Sequence, residues 1–396
     1  MQTGIREPLL ALSKFRMKIL NVNMTLDSVG GGGTAERTYQ MSRFLAKRGI
    51  ECVVLSTDLG WSKARAQYFT GIKVITLPCL WRRFYVPKVS FDVIRDAVTS
   101  ADLIHLMGHW TLINALVYLF ARRFQKPYVV CPAGALLIYG RSKHLKRLYN
   151  YVVGRQVIRN ASAHIAITVN EVAHFETYGV SADRVTVIPN GIDEEAYSGR
   201  DDAAFRSQYG LGENPFLLFV GRLNRIKGPD LLLRAFGELK DLFSNYHLVF
   251  AGPDEGMLRE LRQMSLEFSV KDRVHFLGYL GNDDKIRAFY AAELVVIPSR
   301  QESMSIVVLE AGIVETPVLV TDQCGLDEIA VIGGGRVVSA SVEGLKDGLT
   351  TMLGDSGKLP VMGRNLREFV RKRFGWDTIL DYHLALYHNV LDNINK

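Results

Sequence analysis

Cysteine is scarce in this chain of 396 residues: Cys52, Cys79, Cys131 and Cys324 stand far apart. No Cys-x-x-Cys pair or His-rich spacing accompanies them, which argues against a zinc site and a disulfide framework and fits a reducing cytosol. Long apolar runs are missing too. Pro8–Leu12, within residues 1–16, is too short and too interrupted for a secretory leader core or a membrane span. Trp110–Ala121, the longest strongly apolar stretch, is also too short to cross a bilayer. The expectation is a cytoplasmic protein without an integral membrane segment. What the chain does have is 48% hydrophobic content over a length that favours two or three domains. Its formal charge of +7 favours anionic partners, whether nucleotides, phospholipid headgroups or nucleic acid.

One stretch organises the rest. Leu294-Val-Val-Ile297 reads as a buried strand, Pro298 to Ser305 as a loop, and Ser305 to about Glu315 as a helix. Open α/β sheets bind ligands at such strand ends. The free N–H groups and positive dipole end of the helix suit an anion such as a diphosphate. Glu302 stands just before this helix, and Glu310 lies about one and a half turns into it, roughly 8 Å along the axis. Carboxylates so placed suit the two ends of one ligand, such as a sugar nucleotide. Taken alone, such a pair is more often one capping group and one solvated helix residue. A second element shifts that balance: the strand pattern Phe216–Val220 runs into Gly221-Arg222-Leu-Asn-Arg-Ile-Lys227-Gly228. Arg can grip phosphate oxygens in a fork, while Lys supplies a compact point charge.

Together these stretches resemble the donor site of glycosyltransferase family 4, a GT-B family of retaining nucleotide-sugar transferases. That family's pattern is a Gly-Arg…Lys-Gly loop and E-x7-E, and Val187-Ile-Pro-Asn-Gly-Ile-Asp193 resembles the end of its first domain. The resemblance implies an α/β GT-B fold, two Rossmann-like doubly wound parallel-sheet domains facing a central cleft. It sets an N-terminal arm at 1–16, an acceptor-side domain at 17–195, an interdomain connection at 196–214, a donor-binding domain at 215–375, and a C-terminal helix at 376–396 crossing back to the first domain. Periodicity alone supports the second half. Strands at 216–220, 247–251, 273–277, 294–297 and 317–321 alternate with helices at 229–240, 255–268, 283–291 and 305–315, as right-handed parallel units require.

The resemblance also implies roles. Arg222 and Lys227, with the helix start at Ser305, would stabilise charge on the departing nucleoside diphosphate. Glu302 would hold the donor sugar and Glu310 the ribose hydroxyls, while the amides of Ser303, Met304, Ser305 and Ile306 would face the sugar. Ser303-Met-Ser305 replaces the family's frequent Gly-Phe-Gly. Gly252, Tyr279 and Leu280 fall at strand ends assigned to the nucleotide, where backbone contacts do not separate UDP, GDP and ADP. No Asp-x-Asp motif occurs, consistent with metal-independent transfer and with no cofactor.

On the acceptor side, Gly30–Gly33 opens a β-loop-α-β unit; read alone, it is as often a flexible turn as a ligand loop. The resemblance puts Gly32 and Gly33 between the donor diphosphate and the acceptor. Ala101–Trp110 resembles the family's His-x-His-Gly-Leu-Trp segment, with Met107 at the second histidine. His105 is thus either a cleft contact or a strand residue satisfied by hydrogen bonds. Ala133 stands where many members carry a histidine near the sugar, and His109 is the candidate replacement. A strand-to-loop boundary separates the two histidines, which disfavours a metal pair.

From Gly140 to Arg159 the chain turns basic and aromatic. Leu145, Leu148, Tyr149 and Val152 share a helical face ringed by Lys143, Lys146, Arg147 and Arg155, and Trp81–Tyr85 adds a second cationic, aromatic patch. Either the helix lies on an anionic membrane, each basic residue contributing about 1 kcal/mol, or it packs on the core and solvates its charges. No recognised nucleic-acid module accompanies the charge. The function expected is retaining transfer from a UDP- or GDP-linked sugar to a lipid-linked or polysaccharide acceptor in cell-surface polysaccharide synthesis. Such an enzyme would be cytoplasmic or peripheral on the inner face of the cytoplasmic membrane. The alternatives are a GT-B sugar-nucleotide epimerase or hydrolase and a non-catalytic nucleotide-sugar-binding paralogue.

Overall fold

Short runs of Val, Ile and Leu without polar alternation make strands covered on both faces, the condition for a parallel sheet with helices packed on either side. The computed structural model describes residues 17–27, 30–138, 142–198 and 202–394. The arm expected at residues 1–16 and the start of the basic segment at Gly140 and Arg141 lie outside the described residues. In the first half the strands are β1 (Lys18–Val22), β2 (Glu51–Thr57), β3 (Lys73–Leu77), a small antiparallel pair β4 (Cys79–Trp81) and β5 (Val86–Pro87), then β6 (Leu103–Met107), β7 (Tyr128–Cys131), β8 (Ala163–Ala166) and β9 (Val185–Val187). The second half has β10 (Phe216–Val220), β11 (His247–Ala251), β12 (Val274–Gly278), β13 (Leu294–Ile297), β14 (Val318–Thr321) and β15 (Gly335–Val338).

Two parallel sheets result. Seven strands run in the order β3-β2-β1-β6-β7-β8-β9, and six in the order β12-β11-β10-β13-β14-β15. The winding reverses between β1 and β6 and again between β10 and β13, so each sheet has one switch point where a ligand crevice opens. The loops singled out by sequence, Gly30–Gly33 after β1, Gly221–Gly228 after β10 and Pro298–Ser305 after β13, all sit at these reversals. Beyond the expected strand 317–321 the sheet continues to β15, its edge strand, hidden in sequence by the glycine-rich run Gly333–Gly335 and followed by the helix Val342–Leu353.

A continuous apolar core links the two halves through the chain's last helix, Trp376–Ile394. That helix returns to the first half, where Trp376 stacks on Phe44 at 5.8 Å and Arg48 pairs with Asp377 and Asp381, each at 3.1 Å. Backbone bonds fasten the crossing: Ile192 N–H donates to the Phe374 carbonyl at 2.7 Å, and Trp376 N–H to the Ile192 carbonyl at 3.2 Å. Beneath it, the fully buried Arg37 guanidinium donates to Asn190 Oδ1 at 2.7 Å and to the Ile188 carbonyl at 3.2 Å.

The basic segment departs from a single amphipathic helix. A helix at Lys143–Tyr149, a π turn at Asn150–Gly154 and a helix at Arg155–Arg159 follow without a break. Asn150, Val157 and Ile158 turn inward and Tyr149 donates to the Thr111 carbonyl, whereas Leu145, Leu148, Tyr151 and Val152 are exposed, Tyr151 by 87%. The extra residue of a π turn shifts the helical register, and no spacing rule for a regular helix anticipates it. The reading in which Leu145, Leu148 and Val152 pack on the core is therefore corrected. Among the described residues, no helix is long and apolar enough to cross a membrane.

Candidate functional site

On the donor side, the Gly221–Gly228 loop lies directly against the start of the loop after β13. Gly228 has φ +69°, and a Cβ there would fall 2.0 Å from the Pro298 carbonyl oxygen, so only glycine permits this approach. The contact brings Lys227 to Glu302, with Nζ 2.6 Å from Oε1. Ser299 Oγ donates to the other carboxylate oxygen at 3.0 Å, and the backbone N–H of Lys227 donates to Asn224 Oδ1 at 3.0 Å. Arg222 reaches Glu255 at 2.9 Å, and the Asn224 side-chain amide donates to the same carboxylate at 2.7 Å. Behind the loop, Asp230 pairs with Arg300 at 2.7 Å and Arg225 at 3.0 Å. Burial opposes ionisation of Asp230, but the hydrogen bond and charge of Arg300 outweigh it and hold the carboxyl below its usual range.

The helix that begins the donor crevice is Ile306–Ile313, with Ser305 at its head and no side chain capping it. Ser305 is fully buried, and its hydroxyl finds no partner among the described residues. First-turn N–H groups without a cap are the feature that suits a bound anion. Glu310 lies one turn further on, where its Oε1 accepts from Tyr197 Oη and from Lys285 Nζ, both at 2.7 Å.

Across the cleft, Gly32 heads the helix Gly32–Lys47, and Gly33 is close enough to the donor helix that a Cβ would sit 3.2 Å from Ile306 Cδ1. The loop after β7 makes a tighter approach. Gly134 has φ +81°, and a Cβ there would fall 1.6 Å from Ser303 Oγ, so the close fit of the two halves at this point depends on glycine. Glu171 holds that loop: it is 1% exposed and accepts from Gly134 N–H at 2.6 Å and Ile167 N–H at 2.8 Å. Burial pushes its carboxyl up, with the two N–H donors opposing. The Tyr85 phenol also belongs to the cleft. Burial and the Asp27 carboxylate push it up, while Arg222 of the opposite sheet pulls it down.

Residues 32–191 match the family model described as a glycosyl transferase 4-like domain, and residues 201–369 the model described as glycosyl transferases group 1. The chain is 31% identical over 419 residues to the D-inositol 3-phosphate glycosyltransferase of Xylanimonas cellulosilytica, covering 97% of each protein. This chain belongs to the family 4 glycosyltransferases of the GT-B fold. It is also 34% identical over 278 residues to the D-inositol 3-phosphate glycosyltransferase of Nocardia farcinica, an alignment that spans 66% of this chain and 61% of that relative. In structure it is similar to Anabaena HepE, solved in complex with UDP and glucose, with a TM-score of 0.79 and 20% identity over 94% of this chain and 100% of that one. At that identity the likeness is one of fold.

Within this family member, several expected site residues sit elsewhere. His105 is not in the cleft. It is fully buried on β6 with Nδ1 2.6 Å from Tyr387 Oη, and burial pushes its pKa down to about 3. The hydrogen-bonded strand reading of His105 is the one realised. His109 is buried as well, with Nε2 3.0 Å from Asn150 Oδ1 and rings of Trp110, Tyr149 and Tyr178 around it; burial lowers its pKa to about 4. It therefore does not replace the missing histidine at Ala133. Gly252 donates its N–H to the Gly278 carbonyl at 2.7 Å and presses on the Gly221 carbonyl, so it joins loops and presents no amide to a ligand. Met304 is buried, its Sδ accepting from Asn190 N–H at 3.3 Å, so its side chain seals the join between halves. Leu280 is buried and Tyr279 about half exposed at the end of β12. Sequence reasoning missed Glu171, Lys285 and Tyr197, and it placed the loop ending in Glu255 near the nucleotide without foreseeing that the Glu255 carboxylate pairs with Arg222. Among the described residues, no group of three or more His, Cys, Asp or Glu gathers as a metal site.

Proposed function

We propose that the protein transfers a sugar, with retention of anomeric configuration and without a metal ion, from a UDP- or GDP-linked donor to a lipid-linked or polysaccharide acceptor. The observation that carries this reading is the convergence, at one switch point, of Arg222, the Lys227–Glu302 pair and the uncapped helix start at Ser305. An incoming diphosphate would draw Arg222 from Glu255 and Lys227 from Glu302, exchanging carboxylate for phosphate oxygens. As the anomeric C–O bond breaks, its electron pair passes to the diphosphate, where two cations and the first-turn amides stabilise it. Glu302 is then left beside the sugar, its carboxylate free to hold sugar hydroxyls and to face the positive charge developing at the anomeric carbon. The cations supply the charge that a metal supplies in other transferases. UDP is favoured because HepE, of the same fold, is described with UDP and glucose.

A membrane-associated acceptor draws its support from the surface of the first half. Leu80, Trp81 and Phe91 are exposed there, as are Leu145, Leu148, Tyr151 and Val152, with Arg82, Arg83, Lys143, Arg147 and Arg155 among them. Exposed apolar groups interleaved with cations suit an anionic lipid surface.

A thermal-shift screen against UDP, GDP, ADP and their sugar conjugates tests the donor reading, repeated with Arg222→Ala. A ligand at one hundred times its dissociation constant contributes about 2.7 kcal/mol. Selective stabilisation by one nucleotide, lost in the variant, is expected; no shift with any of them would overturn the reading. For the nucleotide-sugar that binds, NMR of the product is expected to show the donor's anomeric configuration.

A further inference from the structure

Glu310 is 7% exposed, and among the described residues both hydrogen bonds to its carboxylate fall on Oε1. An ionised carboxylate only accepts, so Oε2 remains the oxygen for a hydroxyl donor. Two donors on one oxygen fix the plane and rotation of the group, and Lys285 supplies the counter-charge that a nearly buried carboxylate needs. The donors come from different places. Lys285 lies on the helix Asn282–Ala291, which follows the Tyr279-Leu280 loop at the end of β12. Tyr197 closes the short turn Glu194–Tyr197 in the segment that leaves the first half. That segment is tied on both sides: Asp193, buried, pairs with Arg43 of the helix Gly32–Lys47, and Tyr290 Oη donates to the Tyr197 carbonyl at 2.9 Å.

We propose that Lys285 and Tyr197 are positioning residues that clamp Glu310 for the ribose of the nucleotide, and that ribose recognition is thereby coupled to the connection between the two domains. The proposal rests on the donor-site reading above. Its chemistry is simple: Oε1 is saturated by protein donors, and Oε2 is presented, pre-oriented, to a ribose hydroxyl.

Calorimetric titration of UDP, GDP and ADP, each beside its 2′,3′-dideoxy counterpart, tests this on the full chain, on Lys285→Met and on Tyr197→Phe. The wild type is expected to prefer the ribose form of its nucleotide by roughly tenfold to a hundredfold, the range of a hydrogen bond to a charged group. In Lys285→Met that ratio should fall towards one through loss of ribose-nucleotide affinity, with dideoxy affinity changed by less than about threefold. Tyr197→Phe, which removes one hydroxyl and nothing else, should lower the ratio by up to about tenfold and decides the matter if Lys285→Met does not fold. Equal losses for both nucleotide forms, or an unchanged ratio in the variants, would overturn the clamp while leaving the donor site standing. A wild type that binds no nucleotide, or binds without ribose preference, would remove the donor-site reading or the Glu310 assignment, and the clamp with it.

Discussion

Replacing Lys227 by methionine should remove most turnover and leave a folded protein, and the geometry sets the size of both effects. Lys227 Nζ is 2.6 Å from Glu302 Oε1, and the side chains are 23% and 14% exposed. Exposed pairs contribute about 0.2–1 kcal/mol, and removing one partner of a buried pair costs about 3–5 kcal/mol. A pair at this depth falls between, at about 2 kcal/mol, or roughly 4–8 °C in melting temperature for a domain of this size. The kinetic effect is larger: loss of one preorganised group that stabilises transition-state charge costs about 10²–10³ in turnover. The assay is nucleoside diphosphate release from the donor that stabilises the protein, run beside melting curves. Glu302→Gln added to Lys227→Met tests the stability effect, because the amide removes the unpaired charge without restoring the cation; since Glu302 itself would face the sugar, the kinetic effect is read on Lys227→Met alone. That double variant should regain melting temperature and stay inactive. Turnover of Lys227→Met within about fivefold of wild type would refute the leaving-group role. Turnover that returned together with stability would refute it too, since instability would then have been the cause.

Glu171→Gln should cost about 2 kcal/mol, because the amide can accept from only one of the Gly134 and Ile167 N–H groups and sets its own NH₂ against the other. Burial raises the folded-state pKa of Glu171 above its ordinary 4.5, so its contribution is complete below that value and is lost as pH rises through the raised pKa. The gap in melting temperature between wild type and Glu171→Gln should therefore narrow with rising pH; a gap that widens would contradict the assignment. Arg147→Glu combined with Tyr151→Ser should weaken cosedimentation with anionic vesicles by roughly tenfold or more, at about 1 kcal/mol for each basic residue near the surface; unchanged binding would mean a solvated face. Addition of EDTA to the purified enzyme should leave transfer intact, and complete loss restored by Mg²⁺ would defeat the metal-free mechanism.

What could be read from the sequence, and what could not, follows from the range of each signal. The place of Arg222, Lys227 and Glu302 in loops at strand ends was legible because each stands in a glycine- or serine-rich loop directly after a continuous apolar strand, β10 or β13, a pattern contained in about a dozen residues. The fate of His105 was not. All five residues of β6 are buried, so no alternation says which side chain faces the crevice and which faces the final helix. Lys285 is a charge in Asn282-Asp-Asp-Lys285, a helix start that reads as solvated, and only Glu310, 25 residues away, and Tyr197, 88 residues away, give it a role. Pairing is the part of the site that spacing cannot encode, and it changes the chemistry the motif suggests. Two cations five residues apart look like a standing positive site, yet Arg222 already faces Glu255 and Lys227 already faces Glu302. On the proposed donor reading, a diphosphate would therefore meet a nearly neutral loop and gain only the difference between phosphate and carboxylate as a partner. The helix start at Ser305 has no side-chain cap, so on the proposed donor reading the first-turn amides behind it, rather than the paired cations, would be the groups open to the diphosphate from the outset.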